Sequence, residues 1–322
     1  MSGTSTPFAG RVLALDLVGK DLAAERRILE PSGIEIALAA GPPRARRRQL
    51  AEADGLLANR THIGAELLAG APACRCIVTY GVGFDHVDLE EAGRRGIVVC
   101  NVTDYCSEEV ADHTLTLMLA VLRGAVRGDA LVRRGGWGLD VLGPVHRLRG
   151  RVVGLVGYGR IARAVHVRVQ AFGMRVVVFD PLIPADRRAE LGGTAVDRLD
   201  SLLGSSDCVS LHIPLNATTK HLLDARALSR MKPGAVLINT SRGGLVDFEA
   251  VLAALDDGRL AGAGLDVFPE EPPDVTLVDR PDLVLTPHMA FYSAESVQEL
   301  KSTAATTMRN GLTGADVRNR IA

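Results

Sequence analysis

The 322 residues predict an α/β protein made of two doubly wound parallel-sheet domains. Three observations carry that prediction. Short apolar runs alternate with amphipathic stretches along most of the chain, the rhythm of βα units and parallel sheets. A glycine fingerprint stands at the first strand-to-helix turn of the second set of such units. One long helix-like segment separates the two sets, and the chain exceeds the ~250–300 residues at which a single core stops growing.

From Arg11 the first apolar runs are VLALDLV, IEIALA, GLLANR, CRCIVTY and GIVVCNV. Between Ser107 and Arg127 the segment EEVADHTLTLMLAVLRGAV places acids first and arginines last, matching a helix dipole. Its apolar middle suits burial between two domains, which puts a boundary near Thr103. The glycine-rich connector RRGGWGLDVLGP leads into the strand RVVGLVG at Arg151, followed by MRVVVFD, DCVSLHI, GAVLINT, AGAGLDVF and DLVLTPH. These six strands describe a doubly wound sheet. Too few residues follow His288 for another domain, so the helical stretch SAESVQELKSTAATTMRNGL is expected to return onto the N-terminal domain.

Hydrophobic residues make up 47% and charged residues 23%, the balance of an ordinary globular protein. A net charge of -1 argues against nucleic acid or an anionic membrane as the main partner. Arg44, Arg46, Arg47 and Arg48 read as a solvated helix face. Cys74, Cys76, Cys100, Cys106 and Cys208 are odd in number and sit in or beside apolar segments, as buried reduced thiols do. Cys74 and Cys76 lack the further ligands a zinc site needs, so no metal is expected. The start MSGTSTPFAG has no basic region followed by an apolar run, and no uncharged apolar stretch reaches about 18 residues, so the expected compartment is the cytoplasm.

In GLVGYGRIARAV, Gly157, Gly159 and Ala162 occupy the three positions of the dinucleotide fingerprint, directly after a strand, with Arg160 and Ile161 opening the helix. Gly157 allows the tight turn, Gly159 lets backbone approach a pyrophosphate, and Ala162 serves close packing. Asp180 ends the next strand, where a carboxylate accepts bonds from the adenosine ribose hydroxyls and repels a 2′-phosphate. NAD is therefore favoured over NADP. Arg187 and Arg188, a little further on, keep NADP use open.

Three charged residues follow the last strands: Arg242 after AVLINT, Glu271 after GLDVF and His288 after LVLTPH. Ligands bind beyond the carboxyl ends of strands in such sheets. Reducing a keto acid needs a proton donor, a cation for the carboxylate and a group that keeps the donor charged. His288 is the donor type. Glu271 within hydrogen-bond reach would favour the imidazolium. Arg242 can hold a carboxylate in a bidentate fork, and Gly243 and Gly244 permit a tight turn after it.

Through GYGRIA, FDP, NTSRGGLVD, GLDVFPEEP and TPH, the sequence resembles the D-isomer-specific 2-hydroxyacid dehydrogenase family over nearly the whole chain. The resemblance implies a Rossmann NAD domain, residues 104–290, inserted in a flavodoxin-like substrate domain, residues 1–103 plus 291–322. It implies hydride transfer between NAD and a small 2-hydroxy or 2-keto acid, and usually a homodimer. Arg242, Glu271 and His288 match the family's catalytic arginine, glutamate and histidine. Asp266 matches a contact to the nicotinamide carboxamide, and Pro214, Thr240 and Thr114 match other cofactor contacts. TYGVGFDHVD resembles the substrate-carboxylate loop, with the N–H groups of Val82 and Gly83 facing the ligand. Arg60 in ANRTHI could hold a second anionic group or be a surface arginine.

NVTDYCSEEVADHTL and TPHMAFYSAES resemble the branch holding the C-terminal-binding protein corepressors and their bacterial dehydrogenase relatives. Thr103 replaces a usual proline there, and Phe291 replaces the corepressors' tryptophan. Feedback through a C-terminal regulatory domain like that of longer phosphoglycerate dehydrogenases is not expected. A non-catalytic NAD(H)-sensing module is the alternative outside enzymes. Formate dehydrogenases pair the histidine with glutamine, against Glu271, whereas phosphite dehydrogenases retain all three residues. Glyoxylate, hydroxypyruvate, a phosphorylated hydroxy acid and other keto acids all stay open as substrates.

Overall fold

The five apolar runs of the first third form strands β1 (Gly10–Ala14), β2 (Ile34–Leu38), β3 (Gly55–Ala58), β4 (Cys76–Thr79) and β5 (Val98–Cys100). In the computed structural model, which describes residues 10–184, 186, 191, 194–274 and 280–322, they are parallel in the order β2-β1-β3-β4-β5. That is the flavodoxin-like order. Every residue of β3 and β4 is buried, because helices cover both faces of a parallel sheet; such strands read as continuous apolar runs. Helices α1 (Ala23–Leu29), α2 (Pro43–Ala51), α3 (Ala65–Ala69) and α4 (Leu89–Arg94) connect them. Helix α2 buries none of its residues, so its arginines lie on a solvated helix as expected.

After helices α5 (Ser107–Leu122) and α6 (Ala125–Arg133) the second sheet begins. Its strands are β6 (Val152–Val156), β7 (Arg175–Phe179), β8 (Cys208–Leu211), β9 (Ala235–Asn239), β10 (Leu260–Leu265) and β11 (Leu283–Leu285), with helices α7 (Arg160–Ala171), α8 (Leu199–Ser205), α9 (Ala225–Ser229) and α10 (Phe248–Asp256) between them. The order is β11-β10-β9-β8-β6-β7, all parallel, and an isolated bridge between Val178 and Ala195 extends it beyond β7. The chain reverses its direction of travel between β6 and β8, and that switch point is where such sheets bind ligands. Successive residues of one strand serve opposite faces: Val236 and Ile238 pack with Val165 and Val169 of α7, while Leu237 packs with Val251 and Leu255 of α10.

Two compact units result, Met1–Cys106 with Ser293–Ala322, and Ser107–Tyr292. Their limits fall a few residues beyond the predicted 103 and 290, because α5 starts at Ser107 and Ser293 is the cap of the last helix. That helix, α11 (Ala294–Thr313), starts with a capping box between Ser293 and Ser296. It lies on the first sheet, where Gly311 is needed: a Cβ there would stand 2.6 Å from Cys76 Sγ. Residues beyond it cover the β5 edge, with an antiparallel bridge between Cys100 and Arg320. In α5 the buried residues are Val110, Ala111, Thr114, Leu117, Met118 and Val121. That single stripe packs on its own unit's sheet.

All five cysteines are buried thiols. Burial pushes the Cys74 thiol up to about 12 and raises Cys76 and Cys208 as well. Among the described residues no cluster of side chains suits a metal ion, and no helix is long and apolar enough to cross a membrane.

Candidate active site

At the switch point, Gly157 follows β6 with φ +90°, a conformation glycine adopts without strain. A Cβ there would also lie 2.5 Å from the His212 carbonyl oxygen. The His212 ring accepts or donates one bond to Ser210 Oγ at 2.9 Å, and burial lowers its pKa to about 4, so it stays neutral beside the turn. Gly159 caps α7 with extended backbone and no side-chain bond, and open space surrounds the position its Cβ would take. The first-turn N–H groups of a helix have no intrahelical partner, so bare backbone with room in front of it fits a pyrophosphate. Ala162 is fully buried against the sheet, the close packing expected of it. Arg160 and Ile161 form the first turn.

The Asp180 carboxylate accepts from Tyr158 N–H at 2.8 Å and Leu182 N–H at 2.9 Å. These bonds fix it beside the fingerprint with lone pairs to spare for ribose hydroxyls. The group of residues present thus fits NAD. Arg187 and Arg188 lie outside the described residues. Replacing Asp180 with alanine is expected to raise the NADH dissociation constant by ~10-fold or more and to narrow the preference over NADPH. Fluorescence titration with both nucleotides reads this; an unchanged NADH to NADPH ratio would remove Asp180 from the choice.

Neighbouring strands β9, β10 and β11 each deliver one of the three charged residues at the carboxyl end. Asn239 Nδ2 donates to the Arg242 carbonyl at 2.8 Å, and Arg242 Nη1 donates to Ser241 O at 2.8 Å. Gly243 then lies against the backbone of Phe268, so closely that a Cβ would overlap the Phe268 carbonyl. Neither Gly243 nor Gly244 has positive φ. The tight turn expected after Arg242 is present, a 3₁₀ turn over Gly243–Leu245, and what requires glycine at 243 is the close approach to Phe268. Phe268 N–H donates to Glu271 Oε1 at 3.3 Å, and Glu271 Oε2 meets His288 Nδ1 at 2.8 Å. Glu271 and His288 are brought together; Arg242 joins them through the Gly243–Phe268 packing.

His288 has φ +54°, unusual for a non-glycine residue. What holds it there is Asp266, which sequence reasoning treated as a cofactor contact. Its fully buried carboxylate accepts from Met289 N–H, Ala290 N–H and Thr286 Oγ1 at 2.8, 2.8 and 2.6 Å, while its carbonyl accepts from His288 N–H at 2.8 Å. His113 Nε2 lies 2.9 Å from Thr286 Oγ1 and extends the brace to α5. The signal available in the sequence was an acid ending an apolar strand, which must be satisfied when buried. Thr114 and Thr240 are buried with their hydroxyls 2.9 Å apart, so α5 also steadies the approach to Arg242. Pro214 follows β8, and its carbonyl accepts from Thr219 Oγ1 at 2.7 Å.

In the other unit, Val82 and Gly83 form the loop after β4, and Arg60 lies exposed after β3. Asp16 braces the Arg60 segment: its carboxylate accepts the N–H groups of Asn59, Arg60 and Thr61 at 2.6, 2.7 and 2.8 Å. Sequence reasoning missed this brace, although an aspartate closing the run VLALD was visible.

Residues 115–290 match the family model described as D-isomer specific 2-hydroxyacid dehydrogenase, NAD binding domain. The chain is 40% identical over 264 residues to a glyoxylate reductase of Thermococcus litoralis, covering 79% of this chain and 80% of that protein. It is 40% identical over 259 residues to an (S)-sulfolactate dehydrogenase of Chromohalobacter salexigens, covering 80% and 84%. A D-lactate dehydrogenase from Aquifex aeolicus, solved with NAD and lactic acid, superposes with a TM-score of 0.84 at 28% identity over 94% of this chain and 96% of that one. The chain belongs to the D-isomer-specific 2-hydroxyacid dehydrogenase family, and it is an NAD-dependent oxidoreductase.

Proposed function

We propose that the protein reduces a short 2-keto acid to the D-2-hydroxy acid, with His288 as proton donor, Glu271 as its charge partner and Arg242 as the carboxylate cation. The observation that carries this reading is the 2.8 Å pair of His288 Nδ1 and Glu271 Oε2, at the end of the sheet that holds the dinucleotide fingerprint. NADH, when bound, supplies the hydride. His288 gives its other ring proton, on Nε2, to the carbonyl oxygen as the carbonyl carbon is reduced, and Glu271 stabilises the imidazolium until then. Arg242 binds the carboxylate and polarises the adjacent carbonyl. In the oxidative direction His288 takes the hydroxyl proton. Gly157, Gly159, Arg160, Ile161, Asp180, Pro214 and Thr240 are assigned to NAD; Asp266 and Thr114 brace its nicotinamide end.

Glyoxylate is the first substrate to test, given the relatives named glyoxylate reductase. Sulfopyruvate is the second: the S descriptor of sulfolactate denotes the D arrangement, because sulfur gives its sulfomethyl group priority over the carboxylate. Arg60 would take such a second anion. A panel of glyoxylate, hydroxypyruvate, sulfopyruvate and phosphohydroxypyruvate, with NADH absorbance followed and NADPH alongside, decides. Turnover establishes the reading. Tight NADH binding without turnover of any acid would replace it with the sensing module, and phosphite oxidation in place of acid turnover would make it a phosphite dehydrogenase.

A homodimer and a cytoplasmic location complete the proposal. Val132, Trp137 and Leu139 are 55%, 89% and 84% exposed within one short stretch, an apolar surface suited to a second copy of the chain. Light scattering is expected to give a dimer for the native protein and a monomer for Trp137→Glu; a monomeric native protein would end this part of the proposal. Five buried thiols suit a reducing compartment.

A further inference from the structure

We propose that Asn101 is the positioning residue of the loop Gly81–Gly83: its side-chain amide holds the Val82 carbonyl so that the N–H groups of Val82 and Gly83 face one anion together. The inference rests on the reading of this loop as the binding site of the substrate carboxylate. Asn101 follows β5 and is buried, and its Nδ2 donates to the Val82 carbonyl at 2.7 Å. One residue later, Val102 N–H donates to the Gly81 carbonyl at 3.0 Å, and Thr79 Oγ1 reaches the same oxygen at 3.4 Å.

A trans peptide plane carries its C=O and the following N–H on opposite sides. The Gly81 carbonyl shares its plane with Val82 N–H, and the Val82 carbonyl shares its plane with Gly83 N–H. Residues 101 and 102, adjacent in the chain, therefore pin both planes from one side and send both N–H groups to the other. Among the described residues neither N–H donates to a protein acceptor. Backbone N–H groups are almost always paired, and two successive ones turned the same way form a concavity for an anion.

The amide itself is well anchored. Asn101 N–H donates to the Asn319 carbonyl at 3.3 Å, so the segment covering the β5 edge also fixes the residue that aims the loop. At the other end of the loop, Tyr80 donates its hydroxyl to the buried Glu25 Oε1 at 2.8 Å. Only a donor serves at position 101. An aspartate of the same shape would set lone pairs against the Val82 carbonyl.

The test compares the full chain with Asn101→Ala and Asn101→Asp. KM for the keto acid and the dissociation constant of oxamate, an unreactive carboxylate analogue, are expected to rise ~10-fold in Asn101→Ala and further in Asn101→Asp. Saturated kcat and NADH affinity stay at the native values, a split that a merely structural residue would not give. If Asn101→Ala does not fold, Asn101→Ser, too short to reach the carbonyl, is measured in its place. A folded variant with native KM and oxamate affinity overturns the role of Asn101 alone. A native protein that binds NADH but neither oxamate nor any keto acid overturns the carboxylate reading of the loop, and this inference with it.

Discussion

In His288→Gln, kcat for keto acid reduction is expected to fall by ~10²–10⁴-fold, the usual contribution of a positioned general acid. Glutamine keeps a similar length and can still bond Glu271, so the loop fixed by Asp266 is retained. What it loses is the ring N–H that a general acid hands to the substrate. NADH affinity should not change, because the fingerprint and Asp180 lie at other strand ends. Steady-state kinetics with a nucleotide titration checks both halves, and turnover near the native rate would remove His288 from acid–base chemistry. Glu271→Gln is the companion: the histidine stays in place without its carboxylate, and a smaller loss in kcat is expected.

Gly243→Ala should be nearly as damaging, although it adds one methyl and touches no charged group. The added Cβ would overlap the Phe268 carbonyl, which is backbone and cannot swing aside. Either Arg242 moves or the Phe268–Glu271 turn moves. Overpacking of this kind costs ~1–3 kcal/mol of stability, and a misplacement near 1 Å in catalytic groups can cost ~10²-fold in rate. Gly244→Ala is the control: its nearest neighbour is the flexible tip of Leu215, at 3.0 Å. The expected result is a fall in kcat/KM of ~10²-fold for the first and little change for the second, read beside the melting temperatures. Equal effects in the two variants would mean that the contact with Phe268 does not set the position of Arg242.

The pattern of strands could be read from the sequence because parallel strands are buried on both faces and leave continuous apolar runs; all six runs of the second set became strands β6 to β11. The fingerprint was equally legible, since Gly157 and Ala162 answer to local geometry, a left-handed turn and a tight helix-to-strand packing. Residue type and position at strand ends pointed to Arg242, Glu271 and His288 as candidates.

The tertiary structure decided what local sequence does not encode. Strand order makes β9, β10 and β11 neighbours, and only that brings residues distant in the chain to one sheet end. The reason for Gly243 lies in the loop after β10, 25 residues away. The partners of Asp266 and Asn101 likewise come from segments that no spacing rule connects to them, because a buried carboxylate or amide is satisfied by whatever backbone the fold delivers. Composition and periodicity determined the elements and the chemistry available; the packing of those elements decided where each proton donor points.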